Sequence, residues 1–273
     1  MRPGEHLLII SHTFPPYKGI GGRRWAKFAK ALARKGHVVH VIHSGGSPEL
    51  EGSLWNDDIA HKNIITHPLP QRYPSVLFKR PLTTLWEKVM YRVWIRLMPV
   101  LAKGNWLDKA VFWETQLLRK SRELIDAHTI RNVIVTCAPF RLMAHAVKLK
   151  KERPGLQLVA DFRDPWSWGH VYGHGKLGAA REAYEHGLEV EVMAHVDRAI
   201  APAPAMIEHM KAAYPAAAAR VIHIPHAIDP EDMGRPAPRA DDGIFRMLYA
   251  GSLYGAEEAE AYFDAVIAAF QRT

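Results

Sequence analysis

Two short stretches carry residue types that could do chemistry. The first is FPPYKGIGGRRW, residues 14–25, with glycines at 19, 21 and 22 followed by Arg23 and Arg24. Glycine lets backbone approach a ligand, and a loop that runs into a helix start offers N–H groups and the positive end of the helix dipole. Such loops bind anions, above all phosphates. The plain alternative is a tight turn that needs glycine for its own conformation. The loop lacks the G-x-G-x-x-G spacing of dinucleotide sites, no P-loop lysine follows, and the second strand ends in His43-Ser44-Gly45 rather than an acid. A nicotinamide enzyme and a P-loop ATPase are thereby disfavoured. The second stretch is DFRDPW, residues 161–166: two carboxylates, an arginine and a tryptophan where a strand leaves its sheet. Those types can grip hydroxyls and a sugar face; equally, Arg163 could pair with Asp161 or Asp164 in an ordinary turn.

The elements that must position these stretches can be read from apolar pattern. Leu7-Leu8-Ile9-Ile10 is a short, wholly apolar run of the kind buried on both faces of a sheet. Trp25, Phe28, Ala29, Leu32 and Ala33 then follow helical spacing up to Gly36, and residues 37–43 form the next strand. Further strands are expected over 63–67, 132–136, 156–162, 198–201 and 221–225, with helices over 82–102, 107–127, 142–151, 177–194 and 204–213. Alternation of apolar strands with helices implies an α/β fold, a Rossmann-like and mostly parallel sheet covered on both faces. Ligands of such sheets sit at the carboxyl ends of the strands. After Ile224 the segment PHAIDPEDMGRPAPRADDG reads as a linker, and beyond it a single strand and helix are expected, too little to bury a core alone. The expected division is 1–225, a linker over 226–243, and a truncated second domain over 244–273.

Composition narrows the partners. The chain has 273 residues, 48% of them hydrophobic, and its single cysteine, Cys137, cannot form an internal disulfide, which points to a cytoplasmic location. No secretory leader and no apolar run of bilayer-spanning length is evident. A net charge of +8 favours anionic partners. His37, His40 and His43 share one strand at a spacing that sends neighbours to opposite faces, so no metal site is expected. The charge is unevenly placed. Within residues 79–103, Lys79, Arg80, Lys88, Arg92, Arg96 and Lys103 stand against Glu87 alone, six cations to one acid, or +5 of the +8. The same stretch has apolar residues at three- and four-residue spacing, Trp86 and Trp94 among them. A basic amphipathic helix with tryptophans suits an anionic membrane surface; the plain alternative is a core-packing helix with a solvated basic face.

Five segments in this order, FPPYKGIGGRRWAKFAKALARKGHVVHVI, CAPFRLMAH, DFRDPW, IPHAIDPEDM and MLYAGSLY, resemble the family-4 glycosyltransferases of the GT-B fold, notably those of bacterial cell-surface polysaccharide synthesis. The resemblance implies two Rossmann-like domains, a nucleotide-sugar donor as co-substrate, a lipid-linked or glycan acceptor, retention of configuration, and no metal or other cofactor. It places Gly21 and Gly22 at the donor diphosphate, with Arg23 or Arg24 as helping cations and Gly251-Ser252 as the first donor loop of the second domain. It places His145, Asp161, Arg163 and Asp164 on the sugar and acceptor side. With the basic amphipathic stretch, work at the inner face of a cell membrane is expected, with Trp86, Lys88, Arg92, Trp94 and Arg96 in contact. The crossover departs from the family's N-G-I-D, reading His226-Ala227-Ile228-Asp229, and the donor-binding glutamates are not present in the chain, so this chain alone is expected to transfer little or nothing. The rival is a non-catalytic glycan- or membrane-binding module. Nucleic-acid binding rests on charge alone, without a helix-turn-helix or zinc pattern, and is not expected.

Overall fold

The structure, a computed structural model, describes residues 4–45, 52–53, 55–169, 177–234 and 256–270. It divides into two compact units, Met1–Ala227 and Ile228–Thr273. In the first, seven strands form one sheet: β1 His6–Ile10, β2 Val38–Gly45, β3 Ile64–Pro70, β4 Asn132–Thr136, β5 Gln157–Asp161, β6 Arg198–Ala201 and β7 Val221–His223. Every pairing is parallel and the order is β3-β2-β1-β4-β5-β6-β7. Leu7 to Ile10 are wholly buried, because a parallel strand covered on both faces has no solvated side.

On one face α1 (Arg23–Arg34) and α2 (Asn56–Ile59) pack over Leu7, Ile9, Val39 and Val41. On the other, α4 (Glu114–His128), α5 (Arg141–Glu152), α6 (Ala179–His195) and α7 (Pro204–Ala213) bury the larger core around Leu8, Ile10, Val135 and Leu158. The order reverses direction between β1 and β4, so the loops after these two strands diverge and open a crevice at the carboxyl edge. In the second unit the described regular structure is a short turn at Pro230–Asp232 and α8 (Ala256–Phe270).

Two helices differ from the sequence expectation. The helix expected from 107 begins at Glu114, because side chains capture the intervening backbone: Asn105 Oδ1 accepts from the Leu107 N–H at 3.1 Å and Asp108 Oδ1 from the Ala110 N–H at 2.8 Å. The basic amphipathic helix is α3, Leu85–Leu101, started by a capping box in which Thr84 and Glu87 satisfy one another's backbone N–H. Its end is held by Arg181 of α6, which donates to the Pro99, Ala102 and Gly104 carbonyls.

The α5–α6 side is tied by Glu185, wholly buried, which accepts from Arg141 at 2.8 Å, from the Asn105 N–H at 2.7 Å and from Trp166 Nε1 at 2.8 Å. Removing the cation of a buried pair leaves an uncompensated charge, so Arg141→Met should lower unfolding free energy by about 3 kcal/mol. Adding Glu185→Gln should recover part of that loss. Urea denaturation of the two variants checks both, and an Arg141→Met protein as stable as the parent would remove this pair from the fold's supports.

Candidate functional site

The loop from Ser11 to Gly22 rises from the carboxyl end of β1. Gly19 supplies the one left-handed conformation, at φ 138°. Gly22 has φ −83°, so it is not needed for a positive φ; a Cβ there would lie 3.0 Å from the Thr13 carbonyl oxygen and 3.1 Å from Phe14 Cα. A side chain there would be crowded because the turn folds back on its own backbone. A Cβ on Gly21 would instead meet Arg163, with Nη1 at 2.7 Å. Arg163 donates from that nitrogen to the Gly21 carbonyl, and its Nε stands 3.8 Å from Asp164. The two stretches singled out in the sequence therefore meet.

The turn engages its own amides. The Gly22 N–H donates to the Gly19 carbonyl at 3.0 Å and the Arg23 N–H to the Ile20 carbonyl. What the glycines offer an incoming group is bare backbone without side chains, together with the start of α1. That helix has no side-chain cap and no acid in its first turn, which leaves its positive dipole end uncompensated by either device.

Asp161 underlies the loop rather than facing outward. It is wholly buried at the end of β5, and its Oδ2 accepts from Trp25 Nε1 at 2.6 Å and from Thr136 Oγ1 at 3.0 Å, with Arg24 Nε at 3.5 Å. Its Oδ1 has no hydrogen-bond partner among the described residues. Arg24 reaches past it and donates to the carbonyls of Ile224 and Pro225, both at 3.0 Å, where the chain leaves β7; His226 Nδ1 is 3.4 Å away. Arg23 lies with its guanidinium 5.9 Å from the Trp55 ring. Gly251 and Ser252 lie outside the described residues.

Two residues are placed differently from expectation. Trp166 is wholly buried, stacked on Phe140 at 5.4 Å, and offers no face to a sugar. His145 is buried beneath the 107–113 turns, with Nε2 3.0 Å from the Ala110 carbonyl and Nδ1 3.3 Å from Glu114. Burial holds its imidazole below the ordinary range despite both partners. Helical spacing shows the side on which a residue points, and it could not show that turns would cover this one.

Other groups near the loop roots were not singled out in the sequence. Asp108 accepts from the Phe140 and Arg141 N–H groups at 2.7 and 3.1 Å, capping α5 from a distant loop, and burial pushes its carboxyl up to about 6. His12, next after the β1 loop begins, is pushed down to about 3 by burial. Burial pushes the Cys137 thiol, at the end of β4, up to about 12. None has a sequence signal beyond its residue type; burial and long-range pairing create its role.

Three comparisons bear on this arrangement. Residues 21–232 match the family model described as Glycosyltransferase Family 4. Among solved structures, the catalytic domain of starch synthase IV from Arabidopsis thaliana bound to ADP and acarbose superposes with a TM-score of 0.50 at 12% identity, covering 84% of this chain and 53% of that one. Apo UGT2 of Phytolacca americana gives 0.49 at 8% identity, covering 83% and 53%. The chain thus spans about half the length of these structures. No curated protein matches the sequence.

The two glycines should fail differently. Gly22→Val drives a branched side chain into backbone and should cost about 1–3 kcal/mol of stability, whereas Gly21→Ala displaces only the flexible end of Arg163 and should cost under about 1 kcal/mol. Urea denaturation of both variants measures this order, and its reversal would show that the turn does not fold back on Thr13 and Phe14.

Proposed function

The chain belongs to Glycosyltransferase Family 4, with the Rossmann-like sheet of the GT-B fold, and from that premise we propose that it supplies the acceptor-side half of an enzyme moving a sugar from a nucleotide-sugar donor. The observation that carries the reading is the meeting of Gly21 with Arg163 at the start of an uncapped helix, at the crevice where the sheet order reverses. Departure of a nucleoside diphosphate leaves negative charge, which the α1 dipole and the Arg163 guanidinium would stabilise without reorganising. Gly21 and Gly22 would let the diphosphate come close. Asp164, half-buried beside Arg163, is the carboxylate placed to meet a sugar hydroxyl. Asp161, Arg24 and His145 take positioning roles, since Asp161 Oδ2, both terminal nitrogens of Arg24 and His145 Nε2 are engaged inside the protein. The division into 1–225, 226–243 and 244–273, and a donor loop at Gly251-Ser252, complete the proposal; a hexosyl group moved with retention, without metal, is its most specific form.

The acceptor side is proposed to be lipid-linked and the enzyme peripheral to an anionic membrane, acting in cell-envelope polysaccharide synthesis. No helix among the described residues is long and apolar enough to cross a bilayer. What supports surface contact is α3. Its apolar residues divide into two faces: Tyr91, Trp94, Ile95 and Met98 pack inward against Tyr73 and Leu77. Leu85 and Trp86 remain 79% and 68% exposed, followed along the same side by Val89, Val93, Leu97 and Val100. Trp94 therefore serves the core and not the outer stripe. Lys88, Arg92 and Arg96 lie exposed beside that stripe, so one surface offers apolar insertion and cationic attraction together.

Radiolabelled UDP-, GDP- and ADP-sugars, given with membrane lipid extract to a full-length protein carrying this chain, test the transferase reading. Transfer from one donor is expected, with Arg163→Ala lowering turnover about 100-fold or more at unchanged melting temperature. Residues 1–273 alone should bind those donors weakly in calorimetry. Absence of transfer from every donor, with glycan binding retained, would leave the non-catalytic module.

The membrane reading has its own test. Each cation near an anionic surface is worth about 1 kcal/mol, so replacing Lys88, Arg92 and Arg96 together by glutamate should weaken vesicle binding more than about 100-fold. Cosedimentation with phosphatidylserine-containing vesicles at low and high salt measures this. Equal binding by parent and variant, or binding by neither, would assign the α3 stripe to another partner.

A further inference from the structure

Far from the glycine loop, at the amino ends of the strands, four imidazoles converge. The register pairs His6 with Val38 and Leu8 with His40, and His40 with Ile65, so His6, His40 and His67 lie diagonally across β1, β2 and β3 on the face covered by α4. His128, in the last turn of α4, closes the group: its ring stacks against His40 at 4.4 Å and against His6 at 4.9 Å. His6 Nδ1 is 2.9 Å from His40 Nε2, and one nitrogen from each of His6, His40 and His128 lies within 4.8 Å of the others. Spacing along one strand cannot show a group assembled across three strands and a helix.

We propose that His6, His40 and His128 form a binding site for one divalent transition ion of the zinc type, separate from the glycosyltransferase site. Neutral imidazole is the preferred ligand of such ions, and a set of three leaves a fourth position for water. His67 fits an orienting role: His40 Nδ1 lies 3.1 Å from His67 Nε2, so a proton on His40 Nδ1 donated there leaves His40 Nε2 bare on the side facing His6. The carboxyl end of α4 carries the negative end of its dipole and favours a cation at His128. The nearby Lys120 is paired with Glu123 at 2.6 Å, so its charge is offset locally. Ligands of a tetrahedral zinc ion stand about 3.4 Å apart. The His6–His40 pair is already nearer than that, and the exposed His128 ring has room to turn inward.

The test titrates the metal-free chain of 273 residues with Zn²⁺ by calorimetry and with Co²⁺ by visible absorption, beside His128→Ala and a control, His223→Ala. His128 is chosen because it is exposed and its loss spares the core, unlike His40. One equivalent of Zn²⁺ is expected, with the intense absorption of a tetrahedral Co²⁺ site and a melting temperature raised by saturating Zn²⁺. His128→Ala should lower affinity more than about tenfold and abolish the thermal shift, while His223→Ala changes neither. Absence of stoichiometric binding, binding unchanged in His128→Ala, or equal loss in both variants would overturn the site.

Discussion

A carboxylate with no access to water must be satisfied by the protein around it, and Asp161 is that group here. Its one engaged oxygen gathers the indole of Trp25, the hydroxyl of Thr136 and the guanidinium of Arg24. They come from two pieces of chain, the first turn of α1 and the end of β4, and Arg24 carries the link on to the carbonyls that follow β7. The loops at the carboxyl edge are thereby registered against one another by a single buried charge. Were it neutral or displaced, the hydrophobic layers would still pack, but the loop roots would lose their common reference. The crevice owes its existence to strand order; its shape depends on this acid.

Much of the architecture was legible because buried parallel strands have a simple sequence form. The run 7–10 and the apolar segments near 132 and 157 are short and bounded by polar residues, and the structure pairs all three in one parallel sheet. The glycine loop was legible as a place where backbone needs room. Its reason was not, because the crowding that a side chain at Gly22 would meet comes from Thr13 and Phe14, and only the folded turn brings them there. DFRDPW was legible as polar chemistry at a strand end. That Asp161 and Trp166 face inward while Arg163 turns to Gly21 depends on Trp25, Thr136 and Glu185, all distant in sequence.

The same contrast separates the two faces of α3. Periodicity reported one broad apolar surface, but periodicity has no knowledge of what stands opposite. Tyr73, Leu77 and neighbouring aromatics occupy only part of that surface, so Trp94 is covered and Trp86 is not. The capping box at Thr84 and the Arg181 clamp fix both ends, which makes the exposed stripe a rigid feature instead of a frayed segment. An outward apolar stripe on a firmly held helix is costly to leave in water, and that cost is what makes contact with an apolar phase favourable.

The lone thiol carries a practical consequence. Cys137 is wholly buried at the end of β4 and its proton is held up to about 12, so at neutral pH almost none of it exists as the nucleophilic thiolate. Alkylating dyes should therefore pass over the native protein. A cysteine introduced anywhere on the surface becomes a uniquely addressable position for fluorophores or spin labels, without first deleting the natural one. The rate at which Cys137 itself becomes modified would then act as a clock for transient opening of the loop between β4 and α5.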